Sequence, residues 1–225
     1  MRVGETSGRR YTSNIAMLDL YTWRTPNGKK VPILLAELGW SYELHLVNLA
    51  LNDQKKPEFL AINPNGKIPA LVDTEGANAE IVVVFESGAI LQYLATKAGK
   101  LLPTEEPGRA EVLSWVYWQV GGPGPFFGQM LAFGAHEPRN AEAFEKFVRE
   151  SKRLVGVLDA RLRDREWVAG AYSIADIINY PWFAEVADRQ PHVLDGATAV
   201  RQWMNRMAAR PAVQTGMNFA QEGQS

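Results

Sequence analysis

The sequence predicts a two-part chain: an α/β half of order β-α-β-α-β-β-α, then an all-helical half. Three observations carry that expectation. Residues 17–49 alternate in polarity, turn helical, and alternate again. Two short apolar runs, 70–73 and 81–84, lie close enough to pair antiparallel. Beyond a Pro- and Gly-bearing stretch at 101–108 the strand pattern stops, and apolar residues recur at helical spacing. With 225 residues, 46% of them hydrophobic and 22% charged, the chain can bury one large core or two small ones.

Met17-Leu18-Asp19-Leu20-Tyr21 is short, apolar and alternating, as a strand requires. Thr25-Pro26-Asn27-Gly28 is a turn signal. Val31 to Leu38 suits a buried helix, with Pro32 tolerated in its first turn and Gly39 placed to end it in the left-handed conformation. Tyr42 to Leu49 alternates again, closing a β-α-β unit of about 33 residues. Pro57-Glu58-Phe59-Leu60 predicts a short helix. Ala70–Asp73 and Ile81–Val84 predict strands around the turn-rich Thr74–Glu80, and a helix follows from Ser87 to about Lys97 with Gly99 as its stop. Leu101 to Gly108 is the best boundary. It divides the chain into a polar arm (1–16), an α/β domain (17–100) and an all-helical domain (107–220).

In the second half, Ala110–Val120, Ala141–Leu162, Ser173–Asp188 and Ala199–Ala209 have helical spacing. Ser173 and Asp176 form a variant capping box, flanked by Tyr172 and Ile177 as a hydrophobic staple. Gly121-Gly122-Pro123-Gly124-Pro125 sits between two apolar helical segments and predicts a kink or unwinding. That break serves either close helix packing or a widened cleft. Trp115, Tyr117 and Trp118 at helical spacing read first as a packing surface.

Composition excludes several function classes. A formal net charge of −1 gives no general electrostatic reason to bind nucleic acid or an anionic membrane. The chain has no cysteine, so structural disulfides, thiolate metal sites and a cysteine nucleophile are ruled out. His45, His136 and His192 are far apart and lack the spacing of a metal site, so no metal is expected. The arm carries Arg2, Arg9 and Arg10 and no apolar run of signal-peptide length, and no segment has the roughly 18 apolar residues of a membrane span. The expectation is a cytoplasmic protein.

Three motifs fit one ligand. Thr25-Pro26-Asn27-Gly28 lies between the first strand and the first helix, where α/β sheets place ligands. There the helix start offers unpaired N–H groups and partial positive charge. With Thr25 and Asn27 it would stabilise a thiolate, each unit of pKa depression needing roughly 1.4 kcal/mol. Read alone, the same four residues are a plain turn and cap. In Asn65-Gly66-Lys67-Ile68-Pro69-Ala70-Leu71, a cis Ile68-Pro69 bond would free the Ile68 backbone to pair with an extended peptide-like ligand. In Phe85-Glu86-Ser87-Gly88-Ala89-Ile90, Ser87 caps the next helix and can hold a carboxylate, and Glu86 faces an ammonium group. Gln54 lies in the loop before the short helix, within reach of the ligand's other end.

These residues resemble a known family. The order of elements is the thioredoxin-like order found in glutathione transferases, and the likeness runs over roughly residues 17–215. The motifs at 65–69, 86–87 and 173–176 are similar to those of many classes of cytosolic glutathione transferase. Thr25-Pro26-Asn27-Gly28, the 85–90 segment, Trp118-Gln119-Val120-Gly121-Gly122, Gly124-Pro125 and Gly128-Gln129 resemble the bacterial nu class and its relative, the transferase-like domain of the yeast nitrogen-regulating prion protein. The resemblance implies a homodimer with no permanently bound cofactor. Glutathione is its substrate, as two molecules or the disulfide per site, beside a small disulfide or electrophile. It implies disulfide reduction by glutathione thiols, with Thr25 and Asn27 at the sulfur. Gln54, Lys67, Ile68 and Pro69 lie along the backbone and glycyl end, Glu86 and Ser87 at the γ-glutamyl end. A basic residue of the partner subunit, matching Lys146 or Arg149, completes the site. Pro123 departs from the pattern, where a bulkier apolar residue is usual. Conjugation or thioether cleavage by the same thiolate, and a non-catalytic glutathione-binding regulator, stay open as alternatives.

Overall fold

Strand β1 (Leu18–Thr22) buries alternate side chains, and that alternation sets the layers. Leu18 and Leu20 enter the main core with Val31, Leu34, Leu91 and Leu94. Tyr21 faces the other way and packs with Val47, Phe59 and Ala70. A computed structural model describes residues 18–76, 80–135, 137–138 and 140–220. The arm 1–16 and His136 lie outside the described residues.

The sheet has the order β2-β1-β3-β4, formed with β2 (Glu43–Leu46), β3 (Ala70–Asp73) and β4 (Val82–Phe85). β1 runs parallel to β2 and antiparallel to β3, with Tyr21 opposite both His45 and Ala70. β3 and β4 pair antiparallel, as the short connection requires. Helices α1 (Pro26–Leu38) and α3 (Ser87–Ala98) contribute to the main core, whereas Phe59 of α2 (Pro57–Ile62) meets Tyr21 on the opposite face. This is the expected thioredoxin-like half.

The helical half follows as α4 (Gly108–Gly121), α5 (Pro123–Ala135), α6 (Ala141–Leu162), α7 (Ile174–Arg189), α8 (Thr198–Ala208) and α9 (Pro211–Met217). α7 is the helix around which the half is arranged, with ten of its residues buried. Its capping box forms as expected: Ser173 Oγ accepts from the Ala175 N–H, and Asp176 accepts from the Ser173 N–H at 3.0 Å. Asp176 also accepts from the Val168 N–H and the Trp203 indole, which ties the box to α8. Burial pushes its carboxyl up to about 6, against those hydrogen bonds. At Gly122 the chain breaks completely between α4 and α5, and Pro123 and Pro125 occupy the first turn of α5, where a missing N–H costs nothing.

The first helix differs from expectation. It begins at Pro26, five residues before Val31, because Thr25-Pro26 is an N-cap and first helical residue and not a free-standing turn. The Gly28 N–H donates to Thr25 Oγ1 at 3.2 Å. Pro32 therefore lies inside the helix, where it cannot donate to the carbonyl of Gly28 four residues back. The buried Thr22 hydroxyl replaces it, donating to Gly28 O at 3.0 Å. α1 is buried nearly all round, between the sheet, α3, α7 and α9. A Cβ on Gly216 would lie 2.4 Å from the Ile33 backbone, so α9 crosses α1 at direct contact.

Thr22→Val keeps the shape and removes the donor, leaving the Gly28 carbonyl buried and unpaired. The expected loss is roughly 1–3 kcal/mol of unfolding free energy, measured by urea denaturation. An unchanged midpoint and slope would show that the bond does not support the Pro32 helix.

Candidate functional site

The site is built where β1 turns into α1. A Cβ on Gly28 would stand 1.8 Å from the Trp23 carbonyl oxygen, so only glycine permits so abrupt a turn. Thr25 caps the helix through its oxygen lone pair, which leaves its hydroxyl hydrogen for another acceptor. Two residues on, Asn27 Oδ1 accepts from the Trp182 indole N–H of α7 at 2.8 Å. That bond fixes the amide, so its NH₂ is the free end.

The facing wall is the loop from Asn63 to Pro69. Asn63, 1% exposed, folds it by donating to Lys67 O at 2.7 Å and accepting from the Asn65 N–H at 3.0 Å. Gly66 takes the left-handed conformation at φ 61°. The Ile68-Pro69 bond is cis, and no hydrogen bond within the described residues engages the Ile68 N–H or C=O. Gln54 lies in a 3₁₀ turn (Asp53–Lys55) with Oε1 buried and unpartnered among the described residues.

The third side is the start of α3. Here Glu86, not Ser87, is the N-cap residue, and no side chain closes the cap. Glu86 has φ 72°, a costly conformation for a side-chain-bearing residue. It brings the exposed carboxylate to Asn65 Nδ2, which donates to it at 3.4 Å. Ser87 becomes the first helical residue. Its Oγ is thereby freed from capping and accepts from Lys30 Nζ at 3.2 Å.

Sequence reasoning missed Lys30, Gln119 and Trp182. Lys30 is 1% exposed, and its second bond goes to Gln119 Oε1 at 2.7 Å. Burial drives the ammonium down to about 7, with the field of Glu86 pulling the other way. One signal was present. Lys30 directly adjoins the uninterrupted apolar run Val31–Leu35, the mark of a helix buried on most of its faces.

Two adjoining cavities result. The smaller, about 240 Å³, is polar and lies between Lys30, Asn63, Glu86, Ser87 and Gln119. Gly124 and Pro125 line it, so the break before α5 shapes the cleft as well as the packing. The larger, about 600 Å³, has Thr25, Gln54, Leu49, Leu131, Ala132 and Trp182 in its walls. Asn27, Lys67 and Ile68 line both, so the two form one trough with Asn27 at the junction. Pro69 lines the smaller cavity. The structure therefore brings together Thr25, Asn27, Gln54, Lys67, Ile68, Pro69, Glu86 and Ser87. Lys146 and Arg149 are exposed on α6 and line neither cavity. Among the described residues no cluster of His, Asp or Glu could hold a metal ion, and no helix is long and apolar enough to cross a membrane.

A thioredoxin-like half with a polar trough at the start of its helices, followed by a helical half, is the architecture of a glutathione transferase. Residues 16–96 match the glutathione S-transferase N-terminal domain and residues 126–211 its C-terminal domain. The chain belongs to the glutathione S-transferase family. It is 44% identical over 210 residues to the disulfide-bond oxidoreductase YfcG of Escherichia coli K12, covering 92% of this chain and 97% of that protein. It is similar to a glutathione transferase from Pseudomonas putida solved with one glutathione disulfide per subunit. That likeness has a TM-score of 0.88 and 41% identity over 93% of this chain and 94% of that one. A transferase from Burkholderia graminis, solved with two glutathione molecules per subunit, has a TM-score of 0.87 and 43% identity over 95% and 92% of the two chains.

Proposed function

We propose that this protein is a glutathione-dependent disulfide-bond oxidoreductase of the nu class, akin to the transferase-like domain of the yeast nitrogen-regulating prion protein. The observation that carries the reading is the Asn27 amide, held by Trp182 at the junction of the two cavities beside Thr25, in a chain without cysteine. Both redox thiols must then come from glutathione. Its γ-glutamyl end suits the smaller cavity, with Ser87 and the helix start at the carboxylate and Glu86 at the ammonium. The cysteinyl backbone pairs with Ile68 beside Pro69, and the glycyl end runs toward Gln54 and Lys67. The sulfur then lies near Thr25 and Asn27, which donate to the thiolate and lower its pKa.

The thiolate attacks one sulfur of a small disulfide and forms a mixed disulfide. The departing thiolate takes up a proton and leaves as a thiol. A second glutathione thiolate attacks the glutathione sulfur of the mixed disulfide, releasing the second thiol and glutathione disulfide. Two thiols supply the two electrons. The larger cavity beside Asn27 has room for the second glutathione, in keeping with the two occupancies in the relatives. Its apolar walls also favour a second reading, conjugation or thioether cleavage of an apolar electrophile. Relative rates on hydroxyethyl disulfide, a chloronitrobenzene and an aryl thioether separate the two.

The same reading places the enzyme in the cytoplasm, with a glutathione-binding domain at 17–100 and a helical domain at 107–220. It makes the protein a homodimer. Ile81, Val83, Phe85, Tyr117 and Val120 are exposed apolar side chains on and near β4 and on α4, and a second copy would bury them. Lys146 or Arg149 would then reach the partner's trough. Sedimentation should give a dimer, and Phe85→Glu should dissociate it; a monomeric wild type removes this part of the reading.

Ser87→Ala should weaken glutathione binding by roughly 1–3 kcal/mol, without the stability loss of a missing N-cap. Calorimetry that finds unchanged affinity takes Ser87 out of the site. Thr25→Ala and Asn27→Ala should lower the rate of disulfide reduction more than glutathione affinity, and should raise the apparent thiol pKa in the pH–rate profile at saturating glutathione. An unchanged rate and pKa in the double mutant would mean that backbone N–H groups alone stabilise the sulfur.

A further inference from the structure

Lys30 is a buried cation with no carboxylate against it among the described residues. Its Nζ donates to Ser87 Oγ at 3.2 Å and to Gln119 Oε1 at 2.7 Å, which leaves one N–H unused. Both bonds orient their acceptors. An ammonium only donates, so the Ser87 hydroxyl must turn its hydrogen away from Lys30. For the same reason Gln119 presents its oxygen to the lysine and its Nε2 elsewhere. That Nε2 is fully buried and has no partner among the described residues. All three side chains line the smaller cavity at the start of α3.

Glu86 is the acid whose field reaches Lys30, and Lys67 is the other charged group on the cavity wall. Acids on the packed elements are engaged elsewhere. Asp176 of α7 is held by Val168, Ser173 and Trp203, and Glu185 by Arg189. Asp188 lies outside the cavity lining. Glu111 of α4 pairs with Arg161, Asp73 of β3 with Tyr93 and Lys97, and Glu37 of α1 with Arg210 and Tyr172. Helix α9 has no charged residue.

We propose that Lys30 is a proton-linked positioning residue of the glutathione site: it is protonated as the γ-glutamyl carboxylate docks on Ser87, so that affinity falls with rising pH. The inference rests on the glutathione reading above. With its pKa at about 7, the empty site holds a mixture of ammonium and neutral amine near neutrality. The neutral amine can accept from Ser87, which turns the hydroxyl hydrogen away from the cavity. The ammonium forbids that and presents the hydrogen to the ligand. A docked anion beside a buried ammonium raises its pKa, so binding draws in a proton. The sign follows. Affinity is full below the pKa of the empty site, and falls by up to about tenfold per pH unit between the empty and the bound values.

The test is calorimetric titration with S-methylglutathione, whose blocked sulfur removes the ligand's own thiol ionisation. It is run from about pH 6 to about pH 8.5 in buffers of different ionisation heat. Wild type should take up a fraction of a proton above neutrality and lose affinity across the range. Lys30→Met should bind more weakly at the acid end, with uptake and slope reduced to the part that the ligand's own ammonium contributes against Glu86. Lys30→Arg, permanently charged, should bind with no more slope than Lys30→Met. Nitrogen-detected NMR of the wild type should also show one lysine titrating near neutrality and moving up on binding, a measurement that needs no variant to fold. Wild-type binding without proton uptake, or uptake in Lys30→Met equal to that of wild type, overturns the inference and leaves the glutathione reading standing. Failure of wild type to bind either S-methylglutathione or glutathione overturns both.

Discussion

Helix α1 is buried nearly all round, and the rest of the structure is arranged around that constraint. A helix in that position needs a partner inside the protein for each polar group it carries. Its cap is Thr25, the carbonyl abandoned by Pro32 goes to Thr22, and the Lys30 ammonium goes to Ser87 and Gln119. Asn27 is held by Trp182, and Glu37 by Arg210 and Tyr172. The same bonds tie α1 to β1, α3, α4, α7 and the start of α9. Burying one helix therefore joins the two halves of the chain and assembles one wall of the trough. Fold and site share their hydrogen bonds.

That sharing explains the division between the cavities. The smaller sits over the Lys30 network and inherits its polarity. The larger lies under α5 and α7, where Leu131, Ala132 and Trp182 supply apolar walls. The break at Gly122 lets both exist. A Cβ on Gly124 would press on Gln119 Nε2 at 3.1 Å, so the chain passes close over the Lys30 network before α5 runs on to the larger cavity. Asn27 stands where the two environments meet, which suits a group required to act on a sulfur between a polar peptide and a less polar second reactant.

Much of this was legible in the sequence, and the gaps have physical causes. Ala70–Asp73 and Ala141–Leu162 coincide with the expected strand and helix, because the one is a short apolar run bounded by turn residues and the other carries helical periodicity. The capping box at Ser173 is local chemistry and forms as read. The start of α1 was misplaced because Thr, Pro and Asn serve turns and helix caps alike, and an interior Pro32 seemed prohibitive until Thr22 supplied the missing donor. Ser87 was read as a cap because serine usually is one. The backbone instead turns at Glu86, with a left-handed φ that local sequence does not announce. Lys30, Gln119 and Trp182 were missed because their partners lie 57 to 155 residues away. Pairings of that range are products of the fold.

Several of the fold's unsatisfied positions fall in the trough, although Ser151 Oγ, Asn179 Oδ1 and Arg206 Nε are also buried without partners among the described residues. Glu86 holds a strained backbone, and Gln119 Nε2 and Gln54 Oε1 are buried without partners among the described residues. Lys30 is an ammonium without a contacting carboxylate among the described residues. Each is costly by itself, of order 1–3 kcal/mol for a strained residue or an unpaired buried group. The buried acids of the core are treated differently, as when four donors surround Asp176 or a tyrosine holds Asp73. On the smaller cavity Gln119 Nε2 and the remaining Lys30 N–H are unfilled donors for an acceptor-rich ligand, and on the larger one Gln54 Oε1 is an unfilled acceptor. Their cost is set against binding: a ligand that completes these contacts relieves the penalty the empty site carries, and one lacking a matching acceptor leaves it in place.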